Sequence, residues 1–177
     1  MAKQTAEFDI IVYGASGFTG RLVAEYLAKQ GIQKWAMAGR SLSKLTQVRD
    51  EMGLPSDTPL VIADASTPAT LIDMCKRTRV VLTTVGPYQL YGPELVAACA
   101  ETGTDYVDLC GEPAWMRHMI DQHQAAAEKS GARLVFSCGF DSSPFDLGVL
   151  MAQDEMTKRF GKPAPRVRGR VRKMKGT

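Results

Sequence analysis

The chain has 177 residues, of which 45% are apolar and 23% charged, and its formal net charge is +3. That size and apolar share suit one domain with a full core, and no apolar run approaches the roughly 18 residues of a membrane span. The start, MAKQTAEFD, lacks the apolar centre of a signal peptide, and Cys75, Cys99, Cys110 and Cys138 form neither a C-x-x-C pair nor a metal-type spacing, so the expectation is a cytoplasmic protein with reduced thiols and no metal.

The first element is Phe8 to Tyr13, FDIIVY, in which only Asp9 is polar. A short, nearly continuous apolar run is the mark of a strand buried on both faces of a parallel sheet. Gly14, Gly17 and Gly20 follow at a spacing of three, and then Phe18, Leu22, Val23, Tyr26 and Leu27 recur at helical spacing as far as Gly31. Strand, glycine-rich turn and amphipathic helix form the first half of a dinucleotide-binding unit. Gly14 allows the tight turn, Gly17 lets the backbone approach a pyrophosphate, and Gly20 lets the helix pack closely on the sheet. Free N–H groups and the positive end of the helix dipole then face the phosphates. The spacing G-x-x-G-x-x-G is a variant of the standard G-x-G-x-x-G, and a purely structural strand-to-helix turn is the other reading of it.

A second strand runs from about Lys34 to Ala38 and leads to a helix near Leu42 to Met52. Arg40 ends that strand, twenty residues after Gly20, where an NAD enzyme usually places an acid for the ribose 2′-hydroxyl. A carboxylate there repels a 2′-phosphate, whereas a guanidinium can hydrogen-bond it and stack on adenine. Ser41 and Lys44 lie just beyond, within reach of the same anion, so NADP(H) is expected in preference to NAD(H). A surface arginine at a strand end is the alternative. A third strand, Leu60 to Ala63, is followed by Asp64, which either meets the adenine edge or forms the turn before a helix opened by Thr67 and Pro68.

The fourth strand, Val80 to Val85, ends at Gly86-Pro87, and a helix begins at Gly92-Pro93. Thr84, Val85, Gly86 and Pro87 are expected beside the nicotinamide ribose, with Tyr88 and Tyr91 either lining its pocket or covering the following helix. The fifth strand, Tyr106 to Leu109, leads into a long amphipathic helix carrying Trp115, Met116, Met119 and Ile120. The sixth, Arg133 to Ser137, runs into CGFDSSPFD. There Ser143, Pro144 and Asp146 read as a capping box, leaving Asp141 at the crevice mouth as a candidate acid or base. Cys110 and Cys138, at strand ends, are candidate nucleophiles, although no histidine is placed by sequence to activate either and buried reduced cysteine is the alternative. His118 and His123, five apart on one helix, are not a ligand pair. This alternation predicts a doubly wound α/β fold: six parallel strands in the order 3-2-1-4-5-6, with helices on both faces in three αβα layers, the Rossmann arrangement. Ligands in such a sheet sit at the switch between strands 1 and 4.

The charge is unevenly placed. Residues 1–157 hold 13 Lys and Arg against all 19 Asp and Glu, while residues 158–177 hold 9 basic residues and no acid. In that end Arg166, Arg168, Arg170 and Arg172 alternate with Val167, Gly169 and Val171, as on one face of a strand. The expected division is therefore a nucleotide-binding domain over 1–160 and, over 161–177, the basic, strand-like start of a truncated second domain. An arginine stripe for nucleic acid lacks the interleaved aromatic residues that such binding uses, and a disordered basic tail is the third reading.

Taken together, GASGFTG, AGRS, TTVGPYQLYG, YVDLCGE and CGFDSSPFDLG resemble the N-terminal domain of the saccharopine dehydrogenase-like oxidoreductases, most closely the subgroup of trans-acting enoyl reductases. The likeness spans about Asp9 to Leu150. It implies an NAD(P)-dependent oxidoreductase acting on a small molecule, with a Rossmann domain followed by an α+β domain for substrate and homodimer formation. It also implies that Gly14, Ser16, Gly17, Phe18, Thr19, Arg40 and Gly86 contact the cofactor. Family members continue well past Thr177, so catalytic residues are not carried over. Two rival functions stand beside it: a non-catalytic NADP-binding redox sensor, and an acyl-phosphate or semialdehyde reductase using Cys138. Short-chain dehydrogenase chemistry needs a tyrosine with lysine four residues on, and none of the five tyrosines has one.

Overall fold

The computed structural model describes residues 6–140 and 142–172. Six strands form one parallel sheet: β1 (Phe8–Tyr13), β2 (Trp35–Gly39), β3 (Leu60–Ile62), β4 (Thr78–Thr83), β5 (Asp105–Val107) and β6 (Leu134–Val135), in the order β3-β2-β1-β4-β5-β6. β1 is central, with Ile10 opposite both Trp35 of β2 and Val80 of β4. The helices are α1 (Phe18–Lys29), α2 (Leu42–Glu51), α3 (Pro68–Lys76), α4 (Tyr88–Tyr91), α5 (Pro93–Thr102), α6 (Pro113–Ser130) and α7 (Ser143–Phe160).

Alternation along the central strands sorts the core into two layers, because successive side chains leave a strand on opposite faces. Val12, Trp35 and Met37 point to one face and pack with Ala24 and Leu27 of α1 and Leu45 and Val48 of α2. Ile11, Tyr13, Ala36, Ala38 and Val81 point to the other and pack with Leu71 and Met74 of α3, Leu95 and Val96 of α5, and Trp115 and Met119 of α6. Both faces of β1 and β2 are thus dry, which is why their sequences are almost wholly apolar.

At the carboxyl ends of β5 and β6, three polar groups converge on one buried residue. Asp108, 3% exposed, accepts bonds from the Tyr106 hydroxyl at 2.7 Å and from the N–H groups of Cys110 at 3.0 Å and Ser137 at 2.7 Å. It ties the end of β5 to the end of β6. Ser137, at φ 59°, turns the chain out of the sheet, so β6 stops two residues short of the expected Ser137.

The helix after β6 begins one residue earlier than the capping-box pattern indicates. Ser142, rather than Ser143, is its N-cap, and no side chain caps it. The main chain supplies the closure, with Asp146 N–H bonding to Ser142 O at 3.0 Å. α7 has no buried residue, and Leu147, Leu150 and Met151 are exposed. After it, Ala164 is held to Gln153 by two bonds of 2.7 and 3.0 Å. The alternating arginines over 166–172 form no strand among the described residues. No described helix is long and apolar enough to cross a membrane.

Candidate dinucleotide site

The strand order reverses between β1 and β4, and a crevice opens there outside their carboxyl ends. It holds a cavity of about 540 Å³, within the usual range for small-molecule sites. Its floor is the turn from β1 into α1. Gly14 adopts φ +90°, a left-handed conformation that favours glycine, and a Cβ there would lie 2.8 Å from both Thr84 Oγ1 and Val85 Cγ2. The β1 turn and the β4 loop therefore touch with nothing between them.

Gly17 is the N-cap of α1 and lines the cavity, with no side chain to cap the first helical turn. Open first-turn N–H groups and the helix dipole make such a position attractive to an anion. Gly20 serves packing: a Cβ on it would lie 2.1 Å from Gly14 O and 2.7 Å from Ala15 Cα. A side chain on Gly14 would strike the β4 loop, while one on Gly17, with only Gly14 O near it, would stand at the cavity floor, so glycine at both positions fits a turn that holds a bound dinucleotide.

The rim on the β2 side is charged. Arg40 is exposed, lines the cavity beside Gly39 and forms no ion pair among the described residues. Opposite it, Asp64 Oδ1 accepts from Ser66 N–H at 2.9 Å and Ser66 Oγ at 2.8 Å. These bonds, the backbone one first, hold the Asp64 carboxyl below its ordinary value, and the Arg40 charge adds to them. Asp64 therefore builds the loop turn, while its residue still lines the cavity. Tyr13 forms the wall beneath. Burial pushes its phenol up to about 12, the Asp64 charge adds to this, and the Ala65 N–H and Arg40 pull the other way.

On the β4 side the wall is Thr84, Val85 and Gly86, with Leu90 and Tyr91 of α4 beyond. Of the cofactor residues expected from sequence, Gly14, Ser16, Gly17, Arg40, Asp64, Thr84, Val85 and Gly86 come together around this one cavity. Phe18, Thr19, Gly20, Ser41, Lys44 and Pro87 do not line it. Ser41 is occupied as the N-cap of α2, where its hydroxyl accepts from Lys44 N–H at 3.4 Å. Tyr13, Gly39, Ala65, Ser66 and Leu90 line the cavity without being expected there. Of these, Ser66 carries a readable signal, the Asp-x-Ser spacing of an Asx turn.

Of the candidate catalytic groups, Tyr88, Cys110 and Cys138 do not line the cavity. Tyr88 is 6% exposed, with its ring 5.7 Å from that of Trp115 and its hydroxyl donating to Thr83 O at 3.3 Å. Burial pushes its phenol up to about 12. Cys138 has an exposed side chain outside the cavity lining, and burial of the thiol followed by the Asp108 charge push its pKa up, away from a thiolate. Cys110 is buried and pushed up to about 11, again chiefly by burial. Asp141 lies outside the described residues.

A six-stranded doubly wound sheet with a glycine turn at its switch point defines a Rossmann-type nucleotide-binding domain. Residues 10–135 match the family model described as the saccharopine dehydrogenase NADP binding domain, and the chain belongs to that family. It is 53% identical over 151 residues to the trans-acting enoyl reductases of Mycobacterium ulcerans and Mycobacterium leprae, covering 84% of this chain and 36% of each relative. The chain thus spans about a third of the length of the curated relatives it matches. Among solved structures it resembles apo saccharopine dehydrogenase (L-Glu forming) from Saccharomyces cerevisiae, with a TM-score of 0.67 at 18% identity over 85% of this chain and 32% of that one. It also resembles leucoanthocyanidin reductase from Vitis vinifera in binary complex with NADPH, with a TM-score of 0.51 at 16% identity over 72% of this chain and 48% of that one. At these identities the structural likeness speaks for the fold.

Proposed function

We propose that this chain is the cofactor-holding part of an NADP(H)-dependent oxidoreductase working in the cytoplasm. The pyrophosphate rests on the turn from Gly14 to Gly17, the adenosine 2′-phosphate meets Arg40, and the nicotinamide lies towards Gly86. When bound, the nicotinamide supplies or accepts a hydride. The protein's own residues bind the anion, shape the crevice and keep its walls apart. The observation that carries this reading is the position of Arg40, an exposed cation without an ion-pair partner among the described residues, on the rim of a cavity floored by the glycine turn.

The name of the curated relatives points to an enoyl double bond as the group reduced, in a small-molecule substrate. The basic segment over 161–177 belongs to this proposal as the start of a second domain for substrate and homodimer contacts. Calorimetric titration of this chain with NADPH and NADH tests the cofactor assignment. Loss of a charge-assisted hydrogen bond costs about 1.5–3 kcal/mol, so Arg40→Ala should weaken NADPH by about tenfold or more and leave NADH nearly unchanged. Equal loss for both nucleotides removes the 2′-phosphate assignment, and no heat with either removes the cofactor.

A further inference from the structure

We propose that Glu112 is a positioning residue for the nicotinamide side of the cavity, clamping from the start of α6 the short turn that builds that wall. This rests on the cofactor reading above and extends it to a residue that does not line the cavity.

α4 has four residues, Tyr88–Tyr91, too few for helix propensity alone to hold it. Its support comes from a distant part of the chain. Tyr88 N–H donates to Glu112 Oε1 at 2.8 Å and Gln89 N–H to Glu112 Oε2 at 2.9 Å. Each carboxylate oxygen thus takes one of two consecutive amides, a pair of charge-assisted bonds. Glu112 sits where α6 would ordinarily be capped, yet its side chain makes no cap bond to its own helix. Its N–H contacts Cys110 Sγ at 3.3 Å, and α6 is anchored in the core by Trp115 and Met119.

Anchoring continues through Tyr88, whose ring lies against Trp115 and whose hydroxyl also receives Leu109 N–H at 3.4 Å. With Tyr88 turned inward, its neighbours Val85, Gly86, Leu90 and Tyr91 face the cavity. Glu112 therefore fixes where these four stand. Two adjacent donors need two acceptors on one group, which is what a carboxylate provides. Glutamine keeps one acceptor and sets an NH₂ donor against the other amide. Alanine leaves both amides without this partner.

The test compares NADPH, which engages both halves of the crevice, with adenosine 2′,5′-bisphosphate, which reaches only the glycine turn and Arg40. Glu112→Gln is expected to weaken NADPH by about tenfold and Glu112→Ala by more, with adenosine 2′,5′-bisphosphate bound as tightly as by the wild type. If both ligands weaken together, Glu112 supports the fold at large and the proposal is overturned. It is also overturned if NADPH binding is unchanged in both variants. Wild-type protein that binds neither ligand overturns the cofactor reading itself, and that result is visible before any variant is made. Amide hydrogen exchange supplies a readout without nucleotide: Tyr88 and Gln89 exchange slowly in the wild type and fast in Glu112→Ala, which removes both acceptors. Equal rates at those two amides count against the clamp.

Discussion

Substituting Gly20 by alanine isolates the contact between α1 and the turn it starts from. A Cβ at this position would stand 2.1 Å from Gly14 O and 2.7 Å from Gly14 C, whereas carbon and oxygen meet comfortably at about 3.3 Å. The helix must therefore retreat by about 1 Å, and the atoms in its way are backbone, so no side chain can turn aside. Overpacking of this kind costs roughly 1–3 kcal/mol, and the rigid partner puts Gly20→Ala at the upper end. Alanine returns up to about 1 kcal/mol through its better helix propensity. The net loss is about 2 kcal/mol, a fall in Tm of about 4–8 °C for a chain of this length. Gly17→Ala is the contrasting variant. Gly17 has φ −83°, open to any residue, and its Cβ would meet Gly14 O at 3.3 Å. It should keep nearly the wild-type Tm yet lose NADPH affinity, because its methyl group enters the cavity floor. Thermal unfolding and nucleotide titration on both variants separate the effects. Wild-type Tm in Gly20→Ala, or a larger loss in Gly17→Ala, would show that this account of the turn is wrong.

Asp108 gives a pH-dependent prediction. Burial raises its pKa in the folded chain above the ordinary 3.8, so its contribution to stability is fully present below that value and is lost as pH rises through the folded pKa. Asp108→Asn keeps an acceptor for the Cys110 and Ser137 N–H groups and can donate to the Tyr106 oxygen. Urea unfolding at about pH 3.5 and about pH 7.5 should therefore show the wild type losing ground to this variant as pH rises from below the ordinary value, and parallel profiles would contradict it. Asp108→Ala strands three donors and should cost about 3 kcal/mol or more at either pH. For the thiols, a disulfide reagent should modify Cys138 in the native protein, slowed by its raised pKa, while Cys75, Cys99 and Cys110 are buried and react only after denaturation. Rapid labelling of Cys75 or Cys99, whose sulfurs lie 3.6 Å apart between α3 and α5, would contradict that packing.

The parts of the molecule legible in its sequence are those governed by local rules. The β1 run, the glycine spacing and the placement of Arg40 at a strand end each express a short-range requirement, and together they lead to the sheet order and to one side of the cavity. What escaped depends on contacts between distant residues. α4 is too short to show a period, and it exists because Glu112, more than twenty positions later, receives its amides. Tyr88 reads as either a pocket residue or a helix cover because loops carry no inside-outside pattern, and its ring lies against Trp115. The turn at Ser137 closes on Asp108, far back in the chain, so β6 ends before its apolar pattern does. Asp64 fits two roles in the sequence, and the bonds that make it a turn come from Ser66, two residues on.

The direct contact between Gly14 and the Thr84–Val85 pair has a mechanical consequence. Thr84 Oγ1 lies 3.4 Å from both Tyr13 O and Gly14 O, so the two lips of the crevice are joined at the base like the jaws of a fixed-gauge calliper. Prising them apart means breaking the seam between neighbouring strands at the centre of the sheet. Under the cofactor reading proposed above, discrimination among nucleotides falls to what projects from the outer edges.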